Sequence, residues 1–320
     1  MKNEKVIPVF FATDDNYAPF LGVTLKSMFE NASREYFYEV YVLITSLNSK
    51  NKRNIIRCID KKIGHIRFVN VSSELAKLGS ELALRDYYSL ATYYRFFISE
   101  LFPQYDKALY LDCDIAVTGD ISELYNYNID RKYVGAVKDD VIAREKHLVA
   151  YLNDCLDLSV SQYFNAGILV MNTKLFREKK VLQQFIDLKA KYKFTVAQDQ
   201  DYLNEICRDN VRYLPAGWNK SAFHDEEFDI KGLKIVHFKM NFKPWHFDNV
   251  EFSDIFWSYA AKTPYFEDIK KVKSEFNEFK QQQSALGYKK LIALAAEEAY
   301  RPDNFKNTVL KSHSKVSYGG

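Results

Sequence analysis

The chain has 320 residues, is 47% apolar, 16% aromatic and 27% charged, and carries 45 Lys+Arg against 42 Asp+Glu, a formal charge of +3. These fractions exclude collagen-like, disordered and disulfide-scaffold classes, and at roughly 150 residues per domain the length allows one large α/β domain or two smaller ones with a core that needs no cross-links. The charge is uneven: residues 268–320 hold 10 Lys+Arg and 6 Asp+Glu, a surplus of +4, which leaves −1 for residues 1–267.

In chain order, short apolar runs alternate with amphipathic segments over the first 250 residues, the pattern of βα units on a mainly parallel sheet. Val6–Ala12 reads as a buried strand, followed by a helix over Tyr17–Glu30 with Leu21, Leu25, Met28 and Phe29 at helical spacing. A strand at Tyr38–Ile44, a helix at Lys50–Ile63, a strand at Ile66–Val71 and a helix at Leu90–Leu101 come next. Ala108–Leu111, Tyr133–Val137 and Gly167–Met171 are strands, and Thr173–Tyr192 is a helix with Thr173 as its expected N-cap. Residues 139–164 are polar and mixed, the mark of a lid or substrate loop. From Phe266 onward strands cease, and helices are expected at Ile269–Gln283 and Tyr288–Tyr300. No repeat or low-complexity linker interrupts the chain.

Several classes of chemistry are excluded by what is missing. Cys58, Cys113, Cys155 and Cys207 form no CxxC pair, so no structural zinc site is expected, and a reducing compartment fits the few cysteines. The Val6–Ala12 run is too short for a signal peptide, and no stretch approaches eighteen apolar residues. The first βα turn, Ala12-Thr13-Asp14-Asp15-Asn16-Tyr17, has no glycine. A dinucleotide fingerprint or P-loop requires glycine there for backbone amides to reach phosphate. A divalent cation is the obvious substitute.

Leu109-Tyr110-Leu111-Asp112-Cys113-Asp114-Ile115 supplies carboxylates to hold one. An apolar strand runs into two aspartates at i and i+2, which point to the same side in extended backbone. They lie at the carboxyl end of a strand, where open α/β sheets bind ligands. About one D-x-D is expected by chance in such a chain, and Asp199-Gln200-Asp201 is a second. Further clusters narrow the reading. Phe164-Asn165-Ala166-Gly167 lies at a strand entrance, and Asp199 opens a helix, where it would serve as N-cap. His237 ends the apolar run Leu233–Val236, and Lys243-Pro244-Trp245-His246 follows.

Taken together the motifs FATDDNY, ATYYRF, LYLDCDIAV, FNAGILVMN, AQDQDYLN and VHF…KPWH, in that order from Val6 to His246, resemble glycosyltransferase family 8, the retaining nucleotide-sugar transferases. The resemblance is closest to bacterial lipopolysaccharide and lipooligosaccharide galactosyl- and glucosyltransferases. It implies a single nucleotide-sugar-binding Rossmann-like α/β domain of GT-A type over residues 1–265, with a mainly parallel mixed sheet, and a helical basic extension over 266–320. It implies that Asp112, Asp114 and His237 ligate Mn²⁺, with Mg²⁺ as the alternative ion; an oxygen-rich set with one imidazole suits Mn²⁺. Thr13, Asp14, Asn16 and Tyr17 would hold uridine, with Ala12 and Cys113 in the same contact set. Arg95 would pair with Asp112 or the sugar, Asn165 and Asp199 would bind sugar hydroxyls, and Lys243 would neutralise a phosphate oxygen. Gln200, Asp199, Arg95 and Asp139 are the catalytic candidates.

A retaining glycosidase uses a carboxylate nucleophile, but the matching position is the neutral amide Gln200. Front-face substitution through an oxocarbenium-like ion pair is therefore expected, with UDP-glucose or UDP-galactose as donor and a saccharide or lipid-linked saccharide as acceptor. Residues 139–164 and Trp218–Asp229 would shape the acceptor side. Nothing points to a nucleic acid. One departure from the family pattern is Met240, where members usually carry glycine three residues after the metal histidine. The alternatives are a sugar nucleotidylyltransferase, which would need a glycine-rich first loop, and a silent nucleotide-sugar-binding scaffold. In the extension, Leu291, Ile292, Leu294 and Ala295 beside Lys289 and Lys290, followed by Lys306, Lys311 and Lys315, read either as a solvated helix or as a peripheral contact with the inner face of a membrane. A cytoplasmic location is expected.

Overall fold

The computed structural model describes residues 5–73 and 90–311; Lys315 lies outside them. Its centre is a seven-stranded sheet of order β3-β2-β1-β4-β7-β6-β8. The strands are β1 (Lys5–Ala12), β2 (Tyr36–Ile44), β3 (Gly64–Asn70), β4 (Ala108–Leu111), β6 (Val134–Lys138), β7 (Phe164–Met171) and β8 (Val211–Tyr213). All pairs are parallel except those β7 makes with β4 and β6. A second sheet of order β5-β10-β9 joins β5 (Ile115–Val117), β9 (Lys220–Ser221) and β10 (Ile235–His237). The chain is thus mixed α/β with a mostly parallel central sheet, as expected.

Alternation along the strands sorts their side chains into two cores. Val9, Phe11, Leu109, Leu111, Ile168 and Val170 face one cluster, while Phe10, Ala108, Tyr110, Leu169 and Met171 face the other. Both faces are covered, which is why these strands read as continuous apolar runs rather than alternating ones. The first cluster is closed by α1 (Ala18–Asn31), α2 (Ser49–Ile56) and the helices over Ser253–Ala260 and Phe266–Glu275. Order in the sheet reverses between β1 and β4, and such a switch point is where open sheets bind ligands.

Several element boundaries differ from the sequence reading. α2 stops at Ile56, where the Arg57 N–H closes on the Asn54 carbonyl and the Cys58 N–H on the Ile55 carbonyl. The segment after Leu90 is three short turns of helix rather than one. The long helix expected over 173–192 is two, Thr173–Glu178 and Val181–Lys191, because Lys180 takes a left-handed φ of 54°. Its N-cap is Asn172, whose side chain accepts from the Leu175 N–H, not Thr173. Residues 139–164 are not a free lid: Leu148, Tyr151, Leu152, Cys155 and Leu156 are buried in the second core.

The extension is likewise tied down. The two helices break at Asn277, which caps Glu278–Tyr300, rather than at residues 283–288. Ala295, Phe305 and Val309 belong to the second core, and Phe305 packs edge-on against Tyr192 and Phe194. The Tyr192 hydroxyl donates to the buried Glu298 carboxylate at 3.0 Å.

Candidate active site

The acidic turn is held from below by α1. The buried Thr24 hydroxyl shares its proton between the Cys113 and Ile115 carbonyls, both at 2.8 Å, and the Ser27 hydroxyl accepts from the Val117 N–H at 2.9 Å. These two polar residues inside an apolar helix therefore fix the backbone that carries Asp112 and Asp114. The Asp112 N–H donates to the Gly167 carbonyl at 2.7 Å, and the Phe238 N–H to the Asp114 carbonyl at 2.8 Å, which registers β7 and β10 against the same turn.

Asp112, Asp114 and His237 converge here, each with a ligand atom within 4.8 Å of the others, the only such group among the described residues. His237 Nε2 lies 3.2 Å from Asp114 Oδ1 and 3.8 Å from Asp112 Oδ2. Its tautomer follows from a chain of hydrogen bonds that starts at an unambiguous donor. The Gly167 N–H donates to Asn165 Oδ1 at 3.0 Å, so the Asn165 oxygen is identified. Asn219 Nδ2 donates to that same oxygen at 2.9 Å, which turns Asn219 Oδ1 toward His237 Nδ1, also at 2.9 Å. Nδ1 must then carry the proton, which leaves Nε2 as the ring atom that faces the two carboxylates. Two carboxylates and an imidazole nitrogen converging on one point, with the far ring nitrogen hydrogen-bonded, form a ligand set for a cation.

Space has been left for one. A Cβ on Gly167 would sit 2.4 Å from His237 Cε1 and 2.5 Å from Asp112 Oδ2. The chemistry of the donors and this cradle both fit a divalent ion. Burial opposes ionisation of Asp114, but the Lys243 ammonium and the His237 ring outweigh it and hold the carboxyl far below its usual range. Lys243 Nζ reaches Asp114 Oδ2 at 2.8 Å and Tyr17 Oη at 3.4 Å.

Two cavities flank this group and share Thr92, Arg95 and Asp112. One of about 320 Å³ is lined by Ala12, Thr13, Asp14, Tyr17, Cys113 and Asp114 among others. Asn16 is exposed in the same turn and does not line it. Asp14 is partly engaged, accepting from the Tyr17 N–H at 2.9 Å, and burial pushes the Cys113 thiol up so that it stays neutral.

The other cavity, about 280 Å³, holds Arg95, Asp139, Asn165, Asp199, Gln200 and Lys239. Arg95 is buried over the Tyr110 ring and bridges Asp112 at 3.3 Å and Asp199 at 3.2 Å. Asp199 is therefore a partner of Arg95 in the first helical turn; the N-cap position belongs to Gln198. Burial raises the Asp199 carboxyl to about 6, against the pull of Arg95.

Gln200 is clamped on three sides. Its Oε1 accepts from Asn165 Nδ2 and the Ala166 N–H, each at 3.0 Å, and its Nε2 donates to Asp139 Oδ2 at 3.2 Å. Burial disfavours the Asp139 charge, yet Lys239 beside it holds the carboxyl down at about 2.

Three residues escaped the sequence reading. Asn219, which orients His237, carries no signal in spacing. Lys239, bound to Asp139 and Asp140 at 3.2 and 3.1 Å, lies at i+2 from His237, and that spacing was the available clue. Gly167 was read as the first residue of a strand with no role of its own, whereas β7 begins at Phe164 and places it mid-strand. Met240 has φ of 53°, a left-handed conformation that costs a side-chain-bearing residue about 1–2 kcal/mol. The loop thus keeps a backbone suited to glycine and adds a side chain to the cavity wall.

The family model described as Glycosyl transferase family 8 matches residues 8–249. A lipopolysaccharide 1,2-glucosyltransferase of Escherichia coli K12 is 24% identical over 259 residues, 77% of this chain and 75% of its own length. Among solved structures, the apo bifunctional glycosyltransferase WbbM superposes with a TM-score of 0.74 at 27% identity over 85% of this chain, which spans only 52% of that longer chain. The galactosyltransferase LgtC, solved with donor and acceptor sugar analogues, superposes with a TM-score of 0.66 at 25% identity, covering 81% of this chain and 96% of its own.

Proposed function

Since the chain belongs to glycosyl transferase family 8, we propose that it is a retaining hexosyltransferase, moving glucose or galactose from a UDP-sugar to a saccharide or lipid-linked saccharide in lipopolysaccharide-type synthesis. The observation that carries the reading is the convergence of Asp112, Asp114 and a His237 whose Nε2 faces them across space kept open by Gly167. These three residues would hold Mn²⁺. When bound, the ion supplies a Lewis acid at the diphosphate, where negative charge develops as the anomeric C–O bond breaks.

The protein's own groups do the rest. Lys243, whose charge Asp114 and Tyr17 maintain against burial, adds a second cation beside the diphosphate. The turn Thr13–Tyr17 takes the nucleoside. Arg95 locks Asp112 and Asp199 in place, and Asn165 and Asp199 take the sugar hydroxyls in the 280 Å³ cavity. Gln200 has both oxygen lone pairs and one N–H occupied, so it acts as a fixed neutral dipole and not as a nucleophile. The ionised Asp139 behind it contributes negative potential toward a sugar cation. Front-face substitution, in which the leaving phosphate takes the acceptor hydroxyl's proton, fits this arrangement.

A cytoplasmic location at the inner face of a membrane belongs to the same reading. Among the described residues no helix is long and apolar enough to cross a membrane. Ile292 packs against the second core, Ala295 lies within it and Leu291 lines the 280 Å³ cavity, so these three of the four apolar residues read from the sequence face inward. The exposed Phe279 and Leu286, beside exposed Lys289 and Lys290, are the surface a lipid interface would meet. Phe279→Ser with Leu286→Ser should abolish sedimentation with anionic vesicles; unchanged sedimentation removes the membrane contact. The function itself is tested by incubating the protein with Mn²⁺ and each UDP-hexose and following UDP release and the anomeric configuration of the product.

A further inference from the structure

A third cavity, of about 480 Å³, opens beside the 280 Å³ one and shares Val141 and Met240 with it. Its other walls are Arg144, Phe223, Asn241, Phe242 and Tyr288. We propose that this cavity is an outer acceptor subsite that takes the second sugar unit of an oligosaccharide acceptor, whose reactive unit lies at the shared Val141–Met240 wall, facing the donor sugar in the neighbouring cavity. This rests on the transferase reading above and adds an acceptor length and a set of specificity-determining residues to it.

The wall chemistry selects the occupant. Phe242 and Tyr288 give ring surface for the C–H faces of a pyranose, while Phe223 is covered by Arg144 at 3.9 Å and Lys220 at 4.1 Å, in a concave site with a few convergent polar groups. Those polar groups are held in place but not used up. The Arg144 guanidinium stacks 3.9 Å from the Phe223 ring centroid and meets Asp225 only at 3.8 Å, leaving N–H donors for hydroxyls. Asn241 Oδ1 accepts from the Ser284 hydroxyl at 3.0 Å, which fixes the amide and leaves its NH₂ as a donor. An alkyl chain in the same place would leave Arg144 and Asn241 unpaired against hydrocarbon, a cost a saccharide does not incur.

Placement points the same way. Met240, in its left-handed conformation, forms part of the wall between the cavities, so a chain of two sugars would run up to it from the outer one. Tyr288 and the Ser284 that orients Asn241 come from the Glu278–Tyr300 helix, beyond residues 8–249 that the family model matches. The outer cavity thus combines residues of the family segment with Tyr288 of the C-terminal extension, whose Leu291 also lines the neighbouring cavity.

The test compares methyl glucosides and methyl galactosides with maltose, cellobiose, lactose and melibiose as acceptors. At least one disaccharide should exceed its monosaccharide in kcat/KM by about tenfold or more. Tyr288→Ala and Arg144→Ala should each bring that ratio down to about threefold or less, chiefly through KM for the disaccharide. Acceptor-free UDP release, measured alongside, reports the donor site separately. With UDP release intact, a wild type that gains nothing from any disaccharide overturns the subsite, as does an advantage that survives both variants. No UDP release from any donor would instead remove the transferase reading, and the subsite with it.

Discussion

Replacing Gly167 with alanine tests the metal centre through geometry alone. The added Cβ would lie 2.4 Å from His237 Cε1, 2.5 Å from Asp112 Oδ2 and 3.0 Å from Asn165 Oδ1. Ordinary carbon–carbon contact needs ~3.5–4.0 Å, so the imidazole would have to retreat by about 1 Å. Neither side yields easily. β7 is paired with β4 on one edge and β6 on the other, and His237 is pinned by Asn219. Metal–ligand distances tolerate only about 0.2 Å. Folding should therefore lose about 1–3 kcal/mol, as overpacked cores do, while Mn²⁺ affinity falls by at least about 100-fold. Urea denaturation reads the first, and titration of the free Mn²⁺ electron paramagnetic resonance signal in the presence of UDP reads the second. A folded Gly167→Ala protein that binds Mn²⁺ within about threefold of wild type would refute the placement of the ion among Asp112, Asp114 and His237.

Asn219→Ala should weaken Mn²⁺ binding by about 10–100-fold by releasing the His237 tautomer, and ¹⁵N chemical shifts of the ring should show Nδ1 losing its fixed proton. Asp201 is buried among Tyr163, Tyr151 and the Ala197 N–H, and burial raises its carboxyl to about 6 despite those donors. A folded pKa above the unfolded value of about 3.9 means that the ionised form is penalised only in the fold. That penalty is absent below about pH 4 and complete above about pH 6. Wild-type stability relative to Asp201→Asn should thus fall by about 2 kcal/mol as pH rises from about 4 to 6, read by urea denaturation at each pH; a flat difference would count against it. Phe305→Ala should cost about 3–5 kcal/mol in the same assay, since its ring is buried against Tyr192 and Phe194. A cost below about 1 kcal/mol would mean that the C-terminal segment does not share the second core.

Much of the candidate site was legible because it lies at strand ends. Asp112 and Asp114 follow a buried strand at i and i+2, and in the bend between β4 and β5 both carboxylates do converge with His237. His237 stands at the end of an apolar run and does sit on β10. What stayed hidden depends on chain segments far apart in sequence. Asn219 acts through Asn165, 54 residues away, and no local pattern announces such a bond. Breaks in helices were missed where the cause is a single left-handed residue, as at Lys180, which is not the usual glycine. The C-terminal helix was read either as a solvated helix or as a membrane contact because its apolar residues show helical spacing, and spacing does not say which of them meet the protein's own core. Here Ala295, Phe305 and Val309 belong to the protein's second core. Residues 139–164 misled for the opposite reason, their polar composition masking the buried Leu148, Tyr151, Leu152 and Leu156.

Incubation with UDP-glucose or UDP-galactose, with and without Mn²⁺, decides most directly whether this site is a hexosyltransferase centre. UDP release that needs the ion, is lost in Asp114→Asn, and yields a product with the donor's anomeric configuration is the expected result. No release from either donor at saturating Mn²⁺, or a product of inverted configuration, would contradict it.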